Sequence, residues 1–161
     1  LRAIQHTQLK EMVKADTVAH AITACKGMGP VLSAGIRIAM DQSDCNDRDA
    51  VAKRLGVAPV TQRSGTLGDK SPLVKMRRSA PPALKRVGHY IAVQLVANSA
   101  WAKAAHAYHR AHGKSCFESY RCIARSFLRV ILALLRENAT FNEQRYITSL
   151  KTHGVPWAMA L

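Results

Sequence analysis

Between Ser115 and Leu135 the chain writes out one amphipathic helix, and no other feature limits the fold so tightly. Phe117, Tyr120, Ala124, Phe127, Leu128, Ile131, Leu134 and Leu135 recur at helical intervals. That spacing lines one side of a helix and cannot line one face of a strand. Ser115 and Glu118 in front of it form a capping box, in which each side chain closes an orphan amide of the first turn. A helix with so long an apolar side must lie against other elements.

Those neighbours also read as helical. Ile4, Met12, Val13, Val18 and Ile22 predict one long, partly exposed helix over residues 1–24. Lys26-Gly27-Met28-Gly29-Pro30 breaks it, and Pro30 suits the first turn of a helix whose apolar side is Val31, Leu32, Ile36 and Met40. Asn46 or Asp47 caps a short helix to Leu55, with Gly56 as its stop. Helix resumes at about Pro82 and runs to Asn98. Ser99 caps the next, which ends at Gly113, and Thr140 with Glu143 repeats the capping box. Residues 57–82, punctuated by prolines and glycines, read as a long loop without periodicity. The expected organisation is all-α: an N-terminal helix over 1–24, a helical domain over 25–150 with a helix–hairpin–helix element and a long basic loop, and an apolar tail over 151–161.

Charge narrows the function. The 161 residues carry 24 Lys and Arg against 10 Asp and Glu, a formal charge of +14, while 48% of them are hydrophobic. Residues 1–50 are neutral, residues 51–90 carry +8 and residues 91–161 carry +6. A central block this one-sided either faces a polyanion, for which nucleic acid is the natural partner, or stays well solvated as a solubility charge. The apolar run from Phe127 to Leu135 is interrupted by Arg129 and is far short of the ~20 residues of a membrane span. No export signal opens the chain, and the four cysteines form no C-x-x-C pair, which fits reduced thiols in a cytosol. The chain opens on Leu1, so a fragment or a remnant coding sequence is expected.

Five constellations could carry chemistry. Gly27 and Gly29 sit in a turn between two helices, where amides at a helix N-terminus can hold a phosphate without reading sequence. Arg121, Arg125 and Arg129, with Arg136 near the same line, make a cationic row whose mutual repulsion a phosphate backbone would offset. His106, His109 and His112 lie three apart without neighbouring carboxylates and fit polar surface histidines better than a metal site. Asp41, Asp44, Asp47 and Asp49 lack the glycine and the terminal glutamate of a calcium loop, and read as capping and loop residues. Finally, Arg63-Ser64-Gly65 places a hydroxyl inside the basic block. A serine can hold a cut strand as a phosphoserine ester when cations surround the phosphate, and Arg63, Lys70, Lys75, Arg77 and Arg78 are at hand.

The order of these features resembles one family. Lys26-Gly27-Met28-Gly29-Pro30-Val31, Gly56-Val57-Ala58-Pro59 followed five residues later by Ser64-Gly65, the basic stretch Lys75 to Arg78, Leu84-Lys85-Arg86, Tyr108 to Lys114 and Arg125 to Leu135 are similar to the insertion-sequence transposases related to the pilin-gene invertases. Those recombinases pair a RuvC-like DEDD domain with a serine-bearing C-terminal domain. The resemblance covers residues from about 20 to 142 and is to the C-terminal domain. It implies that Ser64 is the nucleophile, that Lys75 to Arg78 are the family's basic stretch, and that Leu84-Lys85-Arg86 is its Leu-Arg-Arg element. DNA, a guide RNA and further copies of the chain are the partners it implies. Magnesium belongs to the DEDD domain, which has no counterpart here, so no cofactor is expected in this chain and no activity from it alone. The rival expectation is a non-catalytic nucleic-acid-binding module that keeps the fold and is indifferent to Ser64. A metal-sensing helical protein built on the three histidines is the third.

Overall fold

A computed structural model describes residues 2–44, 47–62, 73–76 and 79–161. They form α1 (Arg2–Ala15), α2 (Thr17–Thr23), α3 (Pro30–Asp41), α4 (Arg48–Arg54), α5 (Pro82–Asn98), α6 (Ala100–Ala111), α7 (Cys116–Arg136) and α8 (Glu143–Thr152). The fold is all-α, with one small exception. Within the stretch expected to lack regular structure, β1 (Pro59–Gln62) pairs antiparallel with β2 (Leu73–Met76), Pro59 opposite Met76 and Gln62 opposite Leu73. Pro59 stands at the strand's first position, where a missing amide costs the ladder least. The ribbon therefore sets Gln62 and Leu73 side by side.

α7 is the axis of the molecule. Its capping box forms as the sequence predicts: Ser115 Oγ accepts from the Glu118 amide at 3.2 Å, and Glu118 Oε2 accepts from the Ser115 amide at 2.8 Å. Helices α4, α5 and α6 pack against α7, and α3 packs on α5. Ile36, Leu55, Ile91, Leu95, Trp101, Phe127 and Leu128 fill the space between them and are fully buried. Burial of such side chains, at ~1.5–3 kcal/mol each, is what holds the helices together. In the C-terminal part Trp101 meets the rings of Tyr146, edge-on at 5.2 Å, and Trp157 at 6.2 Å, so residues after α8 add to this core.

Several local expectations need correction. The long N-terminal helix is two helices, because Asp16 leaves helical conformation and accepts from the Ala19 amide at 2.9 Å as the N-cap of α2. Arg37 on α3 grips the same carboxylate at 2.9 Å, which fixes the break against a neighbour. Val31 is 54% exposed, whereas Ile36 and Met40 are buried and Leu32 packs against the core as expected, joined by buried Ser33, Gly35 and Ala39. Asn142, not Thr140, caps α8, accepting from the Arg145 amide at 2.9 Å. Ser99 stands at the N-cap of α6 without a side-chain cap. Gly56 stops α4 as expected, at φ +69°, a conformation that costs glycine nothing and other residues about 1 kcal/mol or more.

Candidate nucleic-acid interface

Ser64, Arg63, Lys70, Arg77 and Arg78 lie outside the described residues, and of Lys75 only the backbone is described. What the structure does show is the ground on which that basic segment is rooted. Leu55-Gly56-Val57 leads from the end of α4 into β1, and it runs between the first half of α5 and the first two turns of α7. Two hollows open there, sharing Val57 and Arg121.

The first hollow, of 360 Å³, is lined by Leu55, Gly56, Val57, Lys85, Gly88, His89, Phe117, Tyr120 and Arg121. Phe117 is 65% exposed and not part of the core, contrary to its place in the apolar stripe. It sits in the opening turn of α7, ahead of the residues that pack on the other helices. His89 is the centre of a ring cluster, 5.8 Å from Phe117, 5.5 Å from Tyr120 and 5.6 Å from Tyr90. Tyr120 also stacks on His106 at 5.0 Å, and a hydrogen bond to Cys116 raises its pKa above the ordinary phenol value.

The second hollow, of 210 Å³, is lined by Val57, Pro59, Lys114, Glu118, Arg121, Cys122 and Arg125. Its one acid, Glu118, is committed to the Ser115 amide, which holds its carboxyl below the usual range. Three cationic side chains thus surround it.

The arginine row of α7 divides by role. Arg125 Nη2 donates to Asp49 Oδ1 at 2.8 Å, and this contact lowers the Asp49 pKa. Arg125 therefore ties α7 to α4 before it can serve a ligand, but its Nε is buried without a hydrogen-bond partner. Arg121 faces both hollows, while Arg129 is exposed. Lys85 and Arg86, one turn into α5, stand half-buried and exposed, with Lys85 in the aromatic hollow.

The glycine turn is a helix–turn–helix corner between α2 and α3. Gly27 has φ +83°, and a side chain there would meet Asn98 Nδ2 at 2.9 Å and the Gln94 carbonyl at 3.1 Å. Gly27 is thus spent on packing the corner against the end of α5. Gly29, the N-cap of α3, faces open space and brings no side-chain cap, so the first amides of α3 are left for solvent or a ligand.

The other constellations are accounted for by local bonding. His106 Nδ1 is 2.9 Å from Ser119 Oγ and His112 Nδ1 is 2.8 Å from the Tyr108 carbonyl, while burial lowers the pKa of His109. Asp41 pairs with Arg37, and Asp47 caps α4 at the Asp49 amide. Among the described residues no three His, Cys, Asp or Glu side chains gather as a metal-holding group.

Sequence reasoning missed His89, Phe117, Tyr120, Lys114 and Val57 as site residues. The available signal was Lys114-Ser115-Cys116-Phe117 with Tyr120-Arg121, aromatic and basic residues interleaved at one helix end.

Residues 19–109 match the Transposase IS116/IS110/IS902 family, from α2 through the ribbon to most of α6. The chain belongs to that family. Membership gives it a role in transposition, and with that DNA as the molecule acted upon. No curated protein matches the chain. The matched stretch includes the glycine corner, Gly56 to Pro59, the basic segment and Lys85-Arg86, whereas the arginine row of α7 lies beyond it. No described helix is long and apolar enough to cross a membrane.

Proposed function

We propose that this transposase chain supplies a serine nucleophile and the cationic surface that holds DNA around it. The observation that carries this reading is the β1–β2 ribbon, rooted beside Lys85, Lys114, Arg121 and Arg125. In sequence, Ser64 follows the last residue of β1 by two positions. Attack by its Oγ on a phosphodiester forms an Oγ–P bond as the bond from phosphorus to the departing strand's oxygen breaks. The serine proton leaves and the departing oxygen is protonated, giving a strand held as a phosphoserine ester and a free hydroxyl that can later reverse the step. Arg63, Lys70, Lys75, Arg77 and Arg78 neutralise the charge that grows on the phosphoryl oxygens. Gly29 offers backbone amides to a more distant phosphate, and Arg129 extends the cationic face.

Asp16, Asp47 and Glu118 cap helices, and Asp41 and Asp49 are paired with arginines. A DEDD domain is where the family resemblance places magnesium, together with a guide RNA and a homo-oligomeric assembly. The binding half of the proposal is tested by measuring affinity for random-sequence duplexes across a salt series. Affinity should fall steeply with salt, and charge reversal at Arg77 and Arg78 should weaken every duplex by similar factors while reducing the salt slope. Affinity that hardly changes between low and physiological salt would refute it. The rival reading of a purely binding module shares that salt dependence and parts from ours at Ser64, whose removal it predicts to be silent in every assay.

A further inference from the structure

The two hollows at the ribbon's root have complementary chemistry and share Val57 and Arg121. One is walled by rings, Phe117, His89 and Tyr120, with Phe117 open to solvent. The other is walled by Lys114, Arg121 and Arg125, with the buried Arg125 Nε lacking a partner. Arg121 stands between them. A paired duplex can use only the cationic half, since its bases are stacked on one another. A single strand can use both, because an unstacked base lies on an aromatic ring while its phosphate accepts hydrogen bonds from guanidinium groups.

We propose that these hollows hold one splayed nucleotide of a single-stranded segment, its base against Phe117 and His89 and its phosphate against Lys114, Arg121 and Arg125. Lys114 and Arg121 donate to the phosphate oxygens directly, while Arg125, paired with Asp49 and with its Nε buried, adds positive charge to the wall. Glu118 keeps its negative charge in this hollow, where Lys114, Arg121 and Arg125 outnumber it and the Ser115 amide holds its carboxylate at the start of α7. Sequence readout is not expected, since every base offers a π-face. The shared chemistry is that of a nucleotide, from DNA opened at a cut site or from an RNA loop. The inference rests on the reading of the chain as a nucleic-acid-binding transposase.

The test compares three probes of equal length by fluorescence anisotropy with the intact chain: oligothymidylate, oligouridylate and an abasic deoxyribose-phosphate oligomer. Wild-type protein should bind the base-bearing strands about tenfold or more tightly than the abasic one, the value of one stacked base. The tighter of oligothymidylate and oligouridylate identifies the strand as DNA or RNA. Phe117→Ala should lose about tenfold on base-bearing strands and nothing on the abasic oligomer, and Phe117→Leu, which keeps the bulk but not the ring, should lose most of the same. Arg121→Ala should weaken all three probes. Since Phe117 is exposed, unchanged thermal melting is expected of both of its variants. Unaltered binding of oligothymidylate by folded Phe117→Ala would overturn the inference and leave the hollow to a protein segment, while the salt-dependent duplex affinity stands. Loss of binding to every probe, duplex included, would instead remove the nucleic-acid reading on which the inference rests.

Discussion

Gly88 marks the closest approach of α5 to the strand leading into the ribbon, and Gly88→Ala is the sharpest probe of that packing. A methyl group there would lie 2.5 Å from the Leu55 carbonyl oxygen and 2.9 Å from Val57 Cγ1. The first obstacle is backbone, anchored by the buried Leu55, so it cannot swing aside. Overpacking costs ~1–3 kcal/mol, and a 2.5 Å contact with backbone falls in the upper part of that range, about 2–3 kcal/mol. Against it stands the helix preference for alanine over glycine, about 1 kcal/mol. The opposing terms leave a net loss of about 1–2 kcal/mol, which for a chain of this size lowers the melting temperature by about 2–8 °C. Gly29→Ala isolates the crowding, because nothing lies within 4 Å of its Cβ position and its φ of −73° suits any residue, so it loses only the N-cap preference for glycine over alanine. Thermal unfolding followed by the helical circular dichroism signal reads both. A melting temperature for Gly88→Ala equal to or above wild type would refute the close apposition of α5 and Leu55. Gly88 also floors the aromatic hollow, so the same variant should weaken single-strand binding more than duplex binding.

Two ion pairs give the fold a defined response to acid. Asp16 beside the Ala19 amide and Arg37, and Asp49 beside Arg125, both have folded pKa values below the ordinary 3.8. Their contribution is therefore whole above about pH 4 and is lost as pH falls through the lowered folded values. Both pairs are partly exposed, so Asp49→Asn should cost below about 1 kcal/mol at neutral pH and should flatten the acid limb of a stability-against-pH curve. An unchanged acid limb would contradict the pairing. Ser115→Ala removes one half of the capping box and should cost ~1 kcal/mol, seen as a lower denaturant midpoint with an unchanged slope.

Local chemistry was readable in the sequence, and long-range apposition was not. The α7 capping box, the proline start of α3, the Gly56 stop and the limits of α5 depend on residues within a turn of one another. The division at Asp16 was hidden because a capping aspartate in a polar, amphipathic stretch looks like an exposed helical residue, and its second partner, Arg37, is 21 residues away. Phe117 keeps perfect helical register with the core residues, yet α5 and α6 cover only part of the first turn of α7, burying Ser119 and leaving Phe117 65% exposed beside His89. Register tells which side of a helix a residue is on, not how far the neighbour extends. The β1–β2 ribbon escaped notice because strands of four residues without alternation carry almost no periodic signal. Arg125 was grouped with the phosphate-facing row, but Asp49, 76 residues earlier, already occupies part of it.

The central claim is tested most directly by trapping a covalent protein–DNA adduct and locating the bond. The 161-residue chain alone, with magnesium, should form none, because the residues described here assemble no metal-holding carboxylates and Asp69 is the only acid near Ser64 in sequence. Supplying a DEDD domain, fused upstream or added as a partner subunit, should produce an adduct on a nicked suicide substrate. Mass spectrometry should then place a phosphodeoxyribose remnant on Ser64. Ser64→Ala should abolish the adduct while melting temperature and salt-dependent binding stay near wild type. A remnant on Tyr90, Tyr108 or any residue other than Ser64, or an undiminished adduct in Ser64→Ala, would contradict the account.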